Sequence, residues 1–316
     1  MTLPTITASG ADADAPRRSL EATSRRLGER AIKAFLLVCA ALSVLVTTGI
    51  VFSLLFGAVG FFDDVPVREF LTGTRWAPVR GEFGVLPLVV GTLNVVFWAL
   101  LVAVPIGLLS AIYLAEYASD GVRRVVKPVL EVLAGIPTVA IGLFALFFLR
   151  PLAEDLFPFL DWPSVHSVGV AGVAVGLLII PLVASIADDA LRAVPRSLRE
   201  GAYALGASKL HVTVRVVIPA AISGIVAGCV LGVSRAIGET MVVLVAAGAS
   251  ANLTVDPTDS VLTMTAYIGV TATGEIAYGT IQYESIFAVG ALLFLMTLVM
   301  NAISIRLVRR FREVYD

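Results

Sequence analysis

The stretch "DDALRAVPRSLREGAYALGASKLHVTVRVVIP", residues 188–219, is the one on which the fold turns. It is polar and basic, yet it joins two apolar runs, "SVGVAGVAVGLLIIPLVASIA" at 167–187 and "VVIPAAISGIVAGCVLGV" at 216–233. Pro195 stops one short helix. Ser197, with Glu200 three residues on, has the spacing of a capping box and predicts the start of a second. Leu198, Ala202 and Leu205 then share one face, and Gly206 can supply a sharp turn after them. The stretch therefore reads as a surface connection holding one or two short amphipathic helices between membrane spans. A helix that only seals the end of a bundle has the same pattern.

Moving outward, the rest of the chain is apolar enough to require a bilayer. Hydrophobic residues make up 58% of the 316 and charged residues 15%, which one soluble core cannot hide. A spanning helix needs about 20 mostly apolar residues. Six segments qualify, at about 32–60, 86–115, 128–149, 167–187, 216–248 and 284–307. The first apolar run is too long, and starts too late, for a signal peptide, so it reads as an uncleaved anchor. The expected organisation is an all-α polytopic membrane protein. It has a polar, disordered tail at 1–30, a six-span domain at 31–311 with the connection at 188–215, and a short tail at 312–316. Pro105, Pro137, Pro181 and Pro219 each interrupt or open a span. That is tolerated where neighbouring helices or a water-lined cavity satisfy the freed backbone groups.

Orientation follows from lysine and arginine. Of the 23 in the chain, 18 fall at the N-terminus, between spans two and three, between spans four and five, and at the close of the chain. Arg68, Arg75, Arg80 and Arg150 lie on the other side. Both termini are therefore expected in the cytoplasm. Cys39 and Cys229 have no metal or disulfide spacing, and His166 and His211 belong to no catalytic cluster. No phosphate-binding loop is present, so this chain is not expected to be an enzyme, to hold a cofactor or metal, or to bind nucleic acid.

The stretch "SRAIGET", Ser234 to Thr240, places two full charges, Arg235 and Glu239, inside the fifth apolar segment. A charge there costs roughly 2.5–3.5 kcal/mol even on the lenient insertion scale. Their i, i+4 spacing predicts that both lie on one helix face and offset each other's desolvation. Two readings remain from the residues alone. The pair can fix helix packing, or Arg235 can offer its planar fork of donors to an oxyanion while Glu239 holds that fork and releases it. Ser234 and Thr240 can add hydroxyls, although such groups commonly bond back to their own helix. Thr92 and Asn94 in span two are expected to make interhelical bonds. Asp256, Asp259 and Glu275 lie in a stretch, 249–283, without lysine or arginine, and read as a solvated outer surface.

The stretch at 200–219 resembles the loop of bacterial ABC importer permeases written E-A-A, three residues, G, nine residues, I, one residue, L-P. Glu200, Gly201 and Ala202 stand for its first three positions, Gly206 for its glycine, Val216 and Ile218 for its aliphatic positions and Pro219 for its proline. Glycine at 201, valine at 216 and isoleucine at 218 are mild departures. "FGVLPLVVGTL" (83–93), "AIYLAEYAS" (111–119), "EVLAGIPTVAIGLFAL" (131–146), "SRAIGETMVV" (234–243) and "VREFLTGTRWAP" (67–78) together are similar to the C subunits of phosphate-specific transport permeases. That resemblance covers almost everything after residue 30. It implies the ABC importer permease fold, a place in the plasma (inner) membrane of a bacterium, phosphate as cargo and a homologous A subunit as partner. It also implies two ATPase subunits that bind the ATP and magnesium, a phosphate-binding protein outside, and surrounding lipid. It assigns ATPase coupling to Glu200, Gly201, Ala202, Gly206 and Pro219, and phosphate movement to Arg235 and Glu239. A permease for sulfate or molybdate is the near alternative. A stand-alone secondary anion transporter is the distant one, and leaves the spacing of 200–219 unexplained.

Overall fold

The computed structural model describes residues 27–311, so the expected tail at 1–30 lies outside it except for 27–30, and the tail at 312–316 lies outside it entirely. The chain divides into two compact units, one up to Val51 and one from Phe52 onward. Helix α1, Leu27–Asp64, starts in the first, where every residue from 28 to 50 is exposed.

In the second unit, α2 (Val67–Thr72) is followed by β1 (Trp76–Ala77) and β2 (Glu82–Phe83). These two pair antiparallel with Trp76 opposite Phe83. The rings of Phe61, Phe70, Trp76 and Phe83 meet edge to face, with centroids 5.2–6.3 Å apart. That is the favoured arrangement for aromatic pairs. Helix α3 (Leu86–Ile112) runs on into a π turn at Tyr113–Tyr117. Then come α4 (Asp120–Leu133), α5 (Thr138–Phe144), a π turn at Ala145–Leu149 and α6 (Arg150–Leu156). Helix α7 spans Val168–Ala193. The connection after it holds α8 (Arg196–Ala204) and α9 (Lys209–Val212), and a π turn at Thr213–Val217 leads into α10 (Ile218–Ile237). Helices α11 (Met241–Ala246), α12 (Met264–Thr273) and α13 (Ile281–Phe311) complete the described chain.

Five of these stretches are long and apolar enough to cross a membrane: Gly28–Asp64, Leu86–Tyr117, Val168–Ala193, Lys209–Ile237 and Ile281–Arg306. A sixth is reached only if Asp120–Leu133 and Thr138–Leu156 count as one, and these meet at 90°. The third expected span, 128–149, is thus not a single helix. The reason is local. Gly135 weakens the helix, and Pro137 removes a donor and pushes Ile136 out of the helical region. The fifth expected span, 216–248, is also interrupted, at Gly238–Thr240. Pro105 and Pro181, by contrast, sit inside unbroken helices, and Pro219 lies in the first turn of α10.

The core is the contact of α3 with α7. Val95, Ala99 and Ala103 bury against Ala171, Ala174, Val175 and Leu178. The approach is close because α7 carries glycines there. A Cβ on Gly172 would stand 2.4 Å from Cβ of Trp98, and one on Gly176 would stand 2.7 Å from the Ala99 carbonyl oxygen. Small residues at helix interfaces do this in membranes, where lipid tails are as apolar as leucine and van der Waals packing must hold helices together.

Candidate functional site: a helix break and a docking loop

Arg235 lies in the last turn of α10, about 26 Å along its axis from Ile218 at 1.5 Å per residue. A helix C-terminus favours a cation. The side chain is half-buried and has no ion-pair or hydrogen-bond partner among the described residues. The other half-buried or buried lysines and arginines among the described residues, Arg123, Lys127, Arg150 and Arg199, are all paired with a carboxylate.

Glu239 does not share a helix face with Arg235. Helix α10 ends at Ile237, and Glu239 lies beyond it in the break. There its Oε1 accepts from the backbone N–H groups of Met241 (3.2 Å) and Val242 (3.3 Å), at the start of α11. The expectation that an i, i+4 pair faces one way fails because Gly238 stops the helix between them, and the freed amides of α11 compete for the carboxylate. The Glu239 carbonyl accepts from Thr265 Oγ1 at 2.6 Å, which ties the break to α12. Ser234 Oγ donates to Asn301 Oδ1 of α13 at 2.9 Å, and Thr240 Oγ1 donates to the Gly238 carbonyl at 3.3 Å. Asn301 was not legible as a neighbour of this segment, since 67 residues separate the two. Thr92 joins α3 to α12 by accepting from Met264 N–H at 3.0 Å, while the Asn94 amide nitrogen is buried without a partner.

At the other end of α10 lies the connection that carries α8. The predicted capping box is absent. Helix α8 begins at Arg196 with Pro195 in the capping position, so Ser197 is already inside the first turn. Pro195 follows the end of the long helix α7 rather than a separate short helix. The turn at Gly206 forms as expected, with φ +79° and its N–H donating to the Tyr203 carbonyl. Glu200 and Gly201 are exposed, and no atom lies near the hydrogen face of Gly201. Ala202 packs on a second core of Ala187, Leu191, Val194 and Val217, and Pro219 is exposed.

This end is held by charge. Asp188 in α7 is buried and accepts from Arg123 (2.6 Å), Lys127 (3.4 Å) and Arg192 (3.3 Å). Lys127 also reaches Asp189 at 2.6 Å. The basic cluster at 123–127 and the connection at 188–199, expected on one side of the membrane, thus meet at one end of the bundle. Glu116 and Arg199 pair at 2.7 Å. Sequence reading missed these partners, although the i, i+4 spacing of Asp188 and Arg192 was a visible signal. Elsewhere, Asp256 accepts from the Thr258 backbone N–H and hydroxyl, which hold its carboxyl below the usual range.

Residues 103–313 match the family described as "Binding-protein-dependent transport system inner membrane component". The chain is 31% identical to the Bacillus subtilis "Probable ABC transporter permease protein YqgH", over 87% of this chain and 89% of that one. It is 32% identical to the "Phosphate transport system permease protein PstC" of Pasteurella multocida, over 85% and 88% of the two chains. It is also 32% identical to the protein of the same name from Mesorhizobium japonicum, over 92% and 93%. Among solved structures, a bacterial ABC transporter involved in import of the acidic polysaccharide alginate superposes with TM-score 0.60 at 16% identity, over 91% of this chain and all of that one. The MetNI methionine ABC transporter in an inward-facing form gives 0.54 at 19% identity, over 76% and 100%. These structural likenesses concern the fold. With the helix breaks, the 200–219 spacing and the family match taken together, the chain belongs to the binding-protein-dependent transport family, as a membrane permease subunit with the ABC importer fold.

Proposed function

We propose that this chain is the C-type half of the translocation path of an ATP-driven phosphate importer, and that Arg235 is the group that meets phosphate in transit. The observation that carries this reading is the half-buried Arg235, unpaired among the described residues, at the break between α10 and α11. A planar fork of donors fits an oxyanion bidentately, and a cation left without a partner in an apolar setting is a functional feature by default. Substrate sites of membrane transporters also favour interrupted helices, where backbone groups are free. Several relatives are named as phosphate transport permeases, which favours phosphate over sulfate or molybdate. Binding must be weak enough to release the ion, and a single arginine, rather than a cluster of cations, suits that.

The partners in this reading are a homologous A subunit, two ATPase subunits carrying ATP and magnesium, and a phosphate-binding protein outside. Helix α8, with exposed Glu200 and Gly201 and the turn at Gly206, docks on the ATPase and faces the cytoplasm, as do both termini. ATP-driven closure of the ATPase pair moves α8 and opens the path outward.

The test is uptake by the assembled complex in vesicles supplied with loaded binding protein. Phosphate should enter and sulfate should not. Arg235→Gln should abolish phosphate entry while complex yield and binding-protein loading stay unchanged. Normal uptake by Arg235→Gln overturns the assignment.

A further inference from the structure

We propose that Arg199 is a positioning residue whose pair with Glu116 carries the movement of α8 into the spanning helices α3 and α7. The proposal rests on the docking reading of α8. Helix α8 has no buried residue of its own, and Leu205 at its end is 90% exposed. What holds its polar side to the bundle is Arg199. One arm of the guanidinium donates to Glu116 Oε1 at 2.7 Å, and the other donates to the Leu191 carbonyl of α7 at 2.6 Å. The Glu116 side chain is 5% exposed and that of Arg199 is 19% exposed, so water screens the pair little.

Glu116 sits in the π turn that ends α3. The same turn receives two more ties. The Lys209 ammonium of α9 stands 4.8 Å over the Tyr117 ring, and Arg192 of α7 donates to the Leu114 carbonyl at 3.3 Å. Three consecutive elements, α7, α8 and α9, therefore grip one turn of α3. π turns are rare and concentrate at functional places. A buried carboxylate cannot be abandoned cheaply, so a displaced α8 must pull Glu116 with it. The fork geometry transmits direction as well as force, which a point contact does not.

The experiment uses the complete complex in vesicles with loaded binding protein, and three readouts from one preparation: ATPase subunit retained, ATP hydrolysed and phosphate moved. In Glu116→Gln the chain and the ATPase should be retained and ATP hydrolysed. Phosphate moved per ATP should fall on the order of tenfold, within the usual range for coupling between two sites. A second variant restores the tie by other means. Glu116→Cys with Arg199→Cys, in a background of Cys39→Ser and Cys229→Ala, should be uncoupled as made and recover when a bis-maleimide bridges the two thiols. An unchanged ratio in Glu116→Gln overturns the proposal, as does a formed bridge that restores nothing. Loss of the ATPase or of the chain from the membrane in Glu116→Gln makes the pair a mere fold contact, and also overturns it. The docking reading fails separately, if Gly206→Val, which strains a turn at φ +79° without touching the pair, leaves ATPase association and uptake unaltered.

Discussion

Asp188 and Arg235 are both charges in helices of mostly apolar sequence, and the fold handles them in opposite ways. The Asp188 side chain is 1% exposed and is met by three cations from two helices. Arg235 is half-buried and is met by no charge among the described residues. Desolvation penalises both. The first is compensated within the chain and can only hold elements together. The second keeps its donors open among the described residues. In the proposed function, that open charge is the one available to a passing anion.

The largest expected effect comes from removing the satisfied charge. Asp188→Ala leaves Arg123, Lys127 and Arg192 facing one another around an apolar gap. It should cost about 3–5 kcal/mol, the usual result of breaking a buried pair. The measurement is the yield and thermal stability of the detergent-purified complex, and a yield like that of the parent would remove the contrast. Next is a change that keeps charge but alters its shape. Arg235→Lys should leave yield intact and lower phosphate uptake at least about tenfold, because a point charge lacks the bidentate fork. Full uptake would mean that charge alone suffices. The smallest effect belongs to Glu239→Gln. The amide oxygen can still accept from Met241 and Val242 N–H, so only the charge at the start of α11 is lost, worth about 0.3–1 kcal/mol. Uptake should fall less than in either arginine variant. A drop as deep as that of Arg235→Gln would put Glu239 on the path itself.

Much of the fold could be read from apolar run lengths, since the bilayer demands them. The turn at Gly206 was legible for a related reason, as its conformation demands glycine. The two breaks in expected spans were harder. "AGIP" at 134–137 and "IGET" at 237–240 sit among residues apolar enough to continue a span, so hydropathy runs through both while the backbone does not. The partners of charged groups were the least legible. Glu116 with Arg199 and Ser234 with Asn301 lie 83 and 67 residues apart, and periodicity carries no information at that separation. Arg235 was found because its cost in lipid is visible in one dimension. Its lack of a partner is visible only in three.

The glycine-lined contact of α3 with α7 also implies an order of assembly. Helix α3 ends at Ile112 and α7 begins at Val168, so during synthesis α3 enters the bilayer before its partner exists. The side that waits presents Val95, Trp98 and Ala99, which lipid tails solvate about as well as protein does. Two notches of this contact, Gly172 and Gly176, belong to the helix that arrives later, and a third, Gly107, stands on the earlier helix and is filled by Val183 of the later one. A knob can stand in lipid without leaving a void, whereas a notch facing lipid packs poorly until filled. With notches on both helices, neither face of the contact is filled until α7 packs against α3.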